Sequence, residues 1–244
     1  MRRIMLTVAY DGTNYHGWQI QPNVITIESV LNEALSLLFK EEIHVIGASR
    51  TDTGVHALGN IAVFDTEARM PGDKVSYALN QRLPQDIRIE DSREVPLDFH
   101  PRHCNSRKTY EYKILNREFP LPTYRLYAHF TYVPLDVTRM QQAADYLVGE
   151  HDFKSFCSNP QMKKSTVRIV DAIEIVRKKD YIYFNFHGTG FLQNMVRILV
   201  GTLLEVGQGK RTIESVQDTL DARDRTTAGY TAPPQGLSLI RVDY

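Results

Sequence analysis

Two hydrophobic periods alternate along these 244 residues in a fixed order, and that order constrains the fold more than any single residue does. Ile4, Leu6 and Val8 alternate with Met5, Thr7 and Ala9, the period-two pattern of a strand. Asp11-Gly12-Thr13-Asn14 breaks it. Ile27, Val30, Leu31, Ala34, Leu35 and Leu38 then recur at helical spacing. Thr26 is placed to cap that helix, and Glu28 sits in its first turn, where the helix dipole favours negative charge. Two short β-branched runs follow, one at Ile43, Val45 and Ile46 and one at Ile61, Val63 and Phe64, and these predict a strand pair. Pro71 opens a second helix carrying Val75, Ala78 and Leu79, and Pro84 closes it. Ile87 to Val95 reads as another strand. The order is β-α-β-β-α-β, that of a ferredoxin-like half.

The order recurs. Thr109 to Leu115 reads as a strand with Tyr110, Tyr112 and Ile114 on one face. Met140, Ala143, Ala144, Leu147 and Val148 form a helical stripe. Ala172 to Val176 and Tyr181 to His187 flank Lys179-Asp180 as a hairpin. Asn194 to Gly207 predicts a helix, Thr212 to Ala222 a second, and Leu237 to Val242 a last strand. No sequence repeat accompanies this, so element order alone carries the duplication. The expected fold is α+β, with two ferredoxin-like (RRM-like) halves at residues 1–100 and 101–244. His100 to Ser106, with Pro101, marks the boundary.

A chain this long can bury a large core, and 42% hydrophobic with 24% charged residues is ordinary for a soluble globular protein. No apolar run approaches the ~20 residues of a membrane span. Arg2 and Arg3 precede strand-like alternation rather than a signal-peptide apolar block, which predicts a cytoplasmic protein with no membrane partner. Cys104 and Cys157 are far apart and form no C-x-x-C pair, so neither a structural disulfide nor a zinc site is expected. His100, His103 and Cys104 are close enough to suggest a metal but lack a second cluster, so no metal is expected. Nor is there a phosphate loop: Gly188-Thr189-Gly190 lacks both the downstream Lys-Ser/Thr and a dinucleotide fingerprint.

Lys plus Arg and Asp plus Glu each number 29, a balance that argues against a uniformly basic nucleic-acid binder. The charge is segregated, however. Between Phe99 and Lys113, Arg102, Arg107, Lys108 and Lys113 stand against Glu111 alone. From Lys154 to Ile169, Lys154, Lys163, Lys164 and Arg168 meet no acid. Such stretches suit RNA on one face, or are simply solvated charge.

Four residues are candidates for chemistry. Asp52 lies in Gly47 to Ala57, a polar turn between the two predicted strands. Loops held by rigid strands place reactive side chains, while Asp-Thr-Gly is also ordinary turn chemistry that merely closes a connection. Arg50 is two residues earlier and shares a face with Asp52 if the segment is extended; it is otherwise a surface arginine. Arg197 sits in a helix apolar nearly all round, through Met195, Ile198, Leu199, Thr202, Leu203 and Val206 with Val196, Val200 and Leu204. Such a helix is buried. An unpaired guanidinium there is costly, so Arg197 meets a carboxylate or an anionic ligand, or else escapes along its stem to water. Tyr110, following Arg107 and Lys108, suits either core packing or a base-stacking platform. Asp-Thr-Gly also occurs at aspartic-protease sites, where two such aspartates share a proton. This chain has one copy, and its strands are too interspersed with helices for that architecture.

Arg50-Thr51-Asp52-Thr53-Gly54-Val55-His56-Ala57 resembles the active-site motif of the tRNA pseudouridine synthase A family. Tyr10 to Gln19, Lys108 to Tyr112, Phe191 to Gly201 and Ala232 to Leu237 resemble further blocks of that family, in its order and over nearly the whole chain. The resemblance implies two halves joined edge to edge into one mostly antiparallel sheet flanked by helices, with a central cleft, in a homodimer. It implies a cofactor-free isomerase acting on tRNA, converting uridine to pseudouridine at positions 38–40 of the anticodon stem-loop. It implies Asp52 as nucleophile, Arg197 as the basic residue paired with it, Tyr110 against the target uracil, and Arg50 holding the nucleotide out of its stack. It assigns no individual roles within Asp11 to Gln19. The contrasting reading is a non-catalytic RNA-binding protein, since ferredoxin-like halves resemble RNA-recognition modules. No clear RNP motif is present, and such a protein has no need of an Asp52–Arg197 pair.

Overall fold

β1 (Arg2–Tyr10) is the strand around which the first part of the chain is assembled. The computed structural model describes residues 1–159, 161–162 and 164–244. Contacts divide it into two units, one of Met1–Ser106 with Leu239–Tyr244 and one of Arg107–Ser238. The class is mixed α+β, and its strand pairing is mostly antiparallel.

In the first unit Thr26 caps α1 (Ile27–Phe39): its side chain accepts from the Ser29 N–H, and the Ser29 hydroxyl accepts from the Thr26 N–H. The helix buries Ile27, Leu31, Ala34 and Leu35 and sets Phe39 against Phe64, ring centroids 5.6 Å apart. β2 (Ile46–Gly47) is shorter than its β-branched run predicts. The Ile43 N–H goes to Ser36 Oγ and the Val45 N–H to Asn32 Oδ1, so two donors that a ladder would use bind side chains of α1 instead. β3 (His56–Thr66) pairs antiparallel with β1, placing Ile4, Leu6 and Val8 opposite Phe64, Ala62 and Asn60, all buried. The second helix begins as a 3-10 turn over Gly72–Lys74 and continues as α2 (Val75–Asn80). β4 (Ile87–Val95) lies antiparallel on the other side of β1.

The second unit starts with β5 (Arg107–Asn116), followed by the short β6 (His129–Thr131), which runs parallel to it. α3 (Val137–Asp145), β7 (Gly149–Asp152), β8 (Val167–Lys178) and β9 (Tyr181–Gly188) come next. The sheet order is β5-β9-β8-β7, all antiparallel. Lys179 closes the β8–β9 hairpin at φ 56°. Tyr112, Ile114, Ile173, Ile175, Ile182, Phe184 and Phe186 are buried on one face of this sheet. α4 (Met195–Gly207) is buried nearly all round, as its sequence requires, and α5 (Ser215–Ala222) follows. α4 meets α3 at Gly207, where a side-chain carbon would come within 2.7 Å of Met140 Sδ. β10 (Leu237–Asp243) belongs to the first unit from Leu239 onward and lies beside β3 there.

Candidate active site

The segment carrying Asp52 has no regular structure, and its neighbours fix it. The Val55 N–H donates to the Asp52 carbonyl at 3.1 Å, and Gly54 turns the chain at φ +76°. Thr51, buried, has Oγ1 2.7 Å from Tyr10 Oη, and its carbonyl accepts the Trp18 N–H at 3.0 Å. The Gly54 N–H donates to the Tyr15 carbonyl at 3.3 Å. From β3, buried Asn60 accepts the Ser49 N–H at 3.2 Å and donates to the Ser49 carbonyl at 3.0 Å and to Tyr10 Oη at 3.4 Å. The Gly12 N–H approaches His56 Nδ1 at 3.1 Å, and Asp11 Oδ1 lies 3.1 Å from the same nitrogen.

Two glycines allow this closeness. Gly17 has φ +81°, and a side-chain carbon on it would lie 2.6 Å from the Thr51 carbonyl oxygen. One on Gly12 would lie 2.0 Å from the Val55 carbonyl oxygen. The stretch from Asp11 to Trp18, part of the Asp11 to Gln19 block whose resemblance assigns no individual roles, is therefore the clamp of the Asp52 loop. Trp18 is fully buried, and its indole lies against Gly47. Asp52 is partly buried, whereas Arg50 and Thr53 are exposed.

Arg50 has a basic neighbour in the same unit. Burial first, and then the positive charge of Arg50, hold the Arg102 guanidinium below its ordinary pKa. His100 stacks on His103, ring centroids 3.9 Å apart. Among the described residues no group of three or more His, Cys, Asp or Glu is arranged to hold a metal ion.

The second unit carries the other two candidates. Tyr110 is buried on β5 and meets Phe191 edge to face, centroids 5.2 Å apart. Tyr112, two residues on, donates from Oη to the Pro233 carbonyl at 2.8 Å, and burial pushes its phenol well above the ordinary range. Arg197 is partly buried in the first turn of α4. Its Nε donates to the Ala232 carbonyl and its Nη1 to Asn194 Oδ1, each at 2.7 Å, while the Ala232 N–H donates back to the Arg197 carbonyl at 3.1 Å. The segment before β10 thus seats this arginine, and its approach to α4 requires Gly201, where a side-chain carbon would be 1.8 Å from the Tyr230 carbonyl oxygen.

Sequence reasoning placed Tyr10 and Thr51 inside motif blocks without a role for either, and missed Asn60. For Tyr10 and Asn60, a polar group within an apolar strand was the signal that could have found them. It also missed an interleaving of aromatic and basic side chains in the second unit. Lys113 and Lys178 stand over the Tyr183 ring, 5.6 and 5.7 Å from its centroid, and Tyr181 meets Tyr124 at 5.4 Å. Of the basic stretch from Lys154 to Ile169, Lys163 lies outside the described residues.

A mixed α+β chain that builds a buried polar scaffold around one carboxylate-bearing loop has the design of an enzyme site. A family model described as tRNA pseudouridine synthase matches residues 6–103 and 143–244. The tRNA pseudouridine synthase A of Thermoanaerobacter sp. (strain X514) is 49% identical over 244 residues, all of both chains. Proteins of the same name from Acetivibrio thermocellus and Ruminiclostridium cellulolyticum are 46% and 47% identical, again over the full length of both chains. The chain belongs to the tRNA pseudouridine synthase family, whose members are isomerases.

Proposed function

We propose that this protein converts uridine to pseudouridine at positions 38–40 of the tRNA anticodon stem-loop, with Asp52 as the nucleophile. The observation that carries the reading is the Asp52 loop itself. A carboxylate on a mobile turn would make a poor nucleophile, whereas this one is anchored through Ser49, Thr51, Gly54, Val55 and His56.

The reaction breaks the bond between N1 of uracil and C1′ of ribose, turns the base, and joins C5 to C1′. N1 gains a proton, and the hydrogen on C5 leaves to solvent. The Asp52 carboxylate attacks either C1′, displacing N1 and leaving again as C5 bonds to C1′, or C6 of the base, leaving by elimination once C5 has rejoined the ribose; both routes end in the same loss from C5. Tyr110 contributes a ring of suitable chemistry for stacking on the base. Arg197 supplies the counter-charge that keeps the Asp52 carboxylate ionised. Arg50, exposed beside Asp52, holds the flipped nucleotide through its phosphate. The protein works in the cytoplasm as a homodimer on tRNA.

The test is tritium release from tRNA labelled at C5 of uridine, comparing wild type with Asp52→Asn. Wild type should release label from positions 38–40, and the variant should bind tRNA yet release none. Absence of release by wild type would leave an RNA-binding protein in place of an enzyme.

A further inference from the structure

We propose that Tyr10 and Asn60 are positioning residues that set the Asp52 carboxylate through Thr51. The inference rests on the reading of Asp52 given above. Its basis is a buried hydrogen-bond chain. Asn60 is fully buried, and its amide orientation is fixed by Ser49: the Ser49 N–H needs an acceptor and the Ser49 carbonyl needs a donor, which makes Asn60 Oδ1 the acceptor and Nδ2 the donor. The same Nδ2 reaches Tyr10 Oη at 3.4 Å. Nδ2 only donates, so Tyr10 Oη accepts there, and the same Oη lies 2.7 Å from Thr51 Oγ1, a bond in which either hydroxyl serves as donor. The chain therefore joins Asn60, Tyr10 and Thr51, all three buried, into one hydrogen-bonded unit.

Its terminus adjoins the nucleophile. Thr51 is the residue before Asp52, and its carbonyl is separately held by the Trp18 N–H at 3.0 Å. Side chain and main chain of Thr51 are thus fixed from two directions, which leaves the Cα of Asp52 little freedom. Thr51 itself is too buried to be a surface turn residue, and a Ser/Thr turn needs neither a tyrosine nor an asparagine from another strand. Tyr10 and Asn60 come from β1 and β3, the two paired strands at the heart of the unit, so the sheet's rigidity is passed to the loop.

The experiment is the same tritium release at saturating tRNA, run well below each variant's melting temperature, with Tyr10→Phe, Thr51→Val, the double variant and Thr51→Ser. Tyr10→Phe removes one oxygen and leaves the ring beside Trp18, 6.0 Å between centroids. We expect kcat to fall roughly 10- to 100-fold in Tyr10→Phe and in Thr51→Val, with KM for tRNA unchanged. The double variant should be no slower than the worse single, because both delete one path. Thr51→Ser, which keeps the hydroxyl, should recover most of the rate. Wild-type kcat in Tyr10→Phe, or losses that multiply in the double variant, would overturn the proposal. If wild type itself released no label, the reading of Asp52 would fail instead, so the two failures are distinct.

Discussion

Asn194 Oδ1 accepts a 2.7 Å hydrogen bond from Nη1 of Arg197, one helical turn further along α4. Asn194 is the residue before the helix and adopts a left-handed conformation, φ 58°, that asparagine tolerates better than most residues. Arg197 is placed where the helix dipole disfavours a cation, and no acid occupies that first turn. An arginine kept there, with two donors tied down at Asn194 and Ala232, is a guanidinium aimed by its surroundings.

Aim and charge can be separated by substitution. Arg197→Lys keeps the charge but cannot make the fork, and should slow tritium release at least about tenfold. Arg197→Met removes both and should cost roughly 100- to 1,000-fold, the range for losing one preorganised electrostatic partner. Asn194→Ala should fall between wild type and Arg197→Lys. Equal rates in Arg197→Lys and wild type would remove the geometric role.

The sequence made the regular elements legible because their core faces keep one period throughout. Ile87 to Val95 reads as a strand and is one, and the Lys179-Asp180 hairpin and the apolar α4 stand where the pattern puts them. β6 and β7 were illegible: His129–Thr131 is too short to show a period, and Gly149–Asp152 carries no apolar alternation. The strand at Ile43 to Ile46 reads too long because α1 side chains capture its backbone donors, a tertiary event with no local signature. Asp52 was singled out by resemblance, since its turn chemistry is commonplace. The scaffold around it could not be read, because Tyr10, Gly17 and Asn60 become partners of the loop only when β1 and β3 pair.

Gly17 tests that scaffold without touching a polar side chain. At φ +81° an L side chain is strained, and a carbon there would also collide with the Thr51 carbonyl oxygen at 2.6 Å. Gly17→Ala should therefore cost about 2 to 4 kcal/mol, the sum of a left-handed backbone penalty and local displacement. Gly209 is the control: its φ is +72°, but nothing lies within 4 Å of the added carbon. Gly209→Ala should cost only about 1 to 2 kcal/mol and leave turnover unchanged. Thermal melts and tritium release on both variants check this. Equal melting temperatures for the two would show that the loop yields to the new methyl group.

An ion pair inside the first unit makes a prediction about pH. Arg3 on β1 holds Asp65 on β3 with two bonds, Nε to Oδ1 and Nη2 to Oδ2, both 2.7 Å, and its Nη1 reaches the Phe99 carbonyl at 2.8 Å. The hydrogen bonds from Arg3 hold the Asp65 carboxyl below its ordinary range, against the opposing effect of burial. A carboxylate whose folded pKa is depressed contributes stability above its unfolded pKa and loses it as pH falls through the folded value. Asp65→Asn should therefore be less stable than wild type by about 1 to 2 kcal/mol at pH 7, allowing for partial solvent screening. The gap should persist down to roughly pH 4, near an ordinary aspartate pKa, and close below it as the wild-type carboxyl protonates. Urea melts of both proteins from pH 7 to pH 3 measure it. A gap that stays constant across that range would mean the pair contributes shape rather than charge.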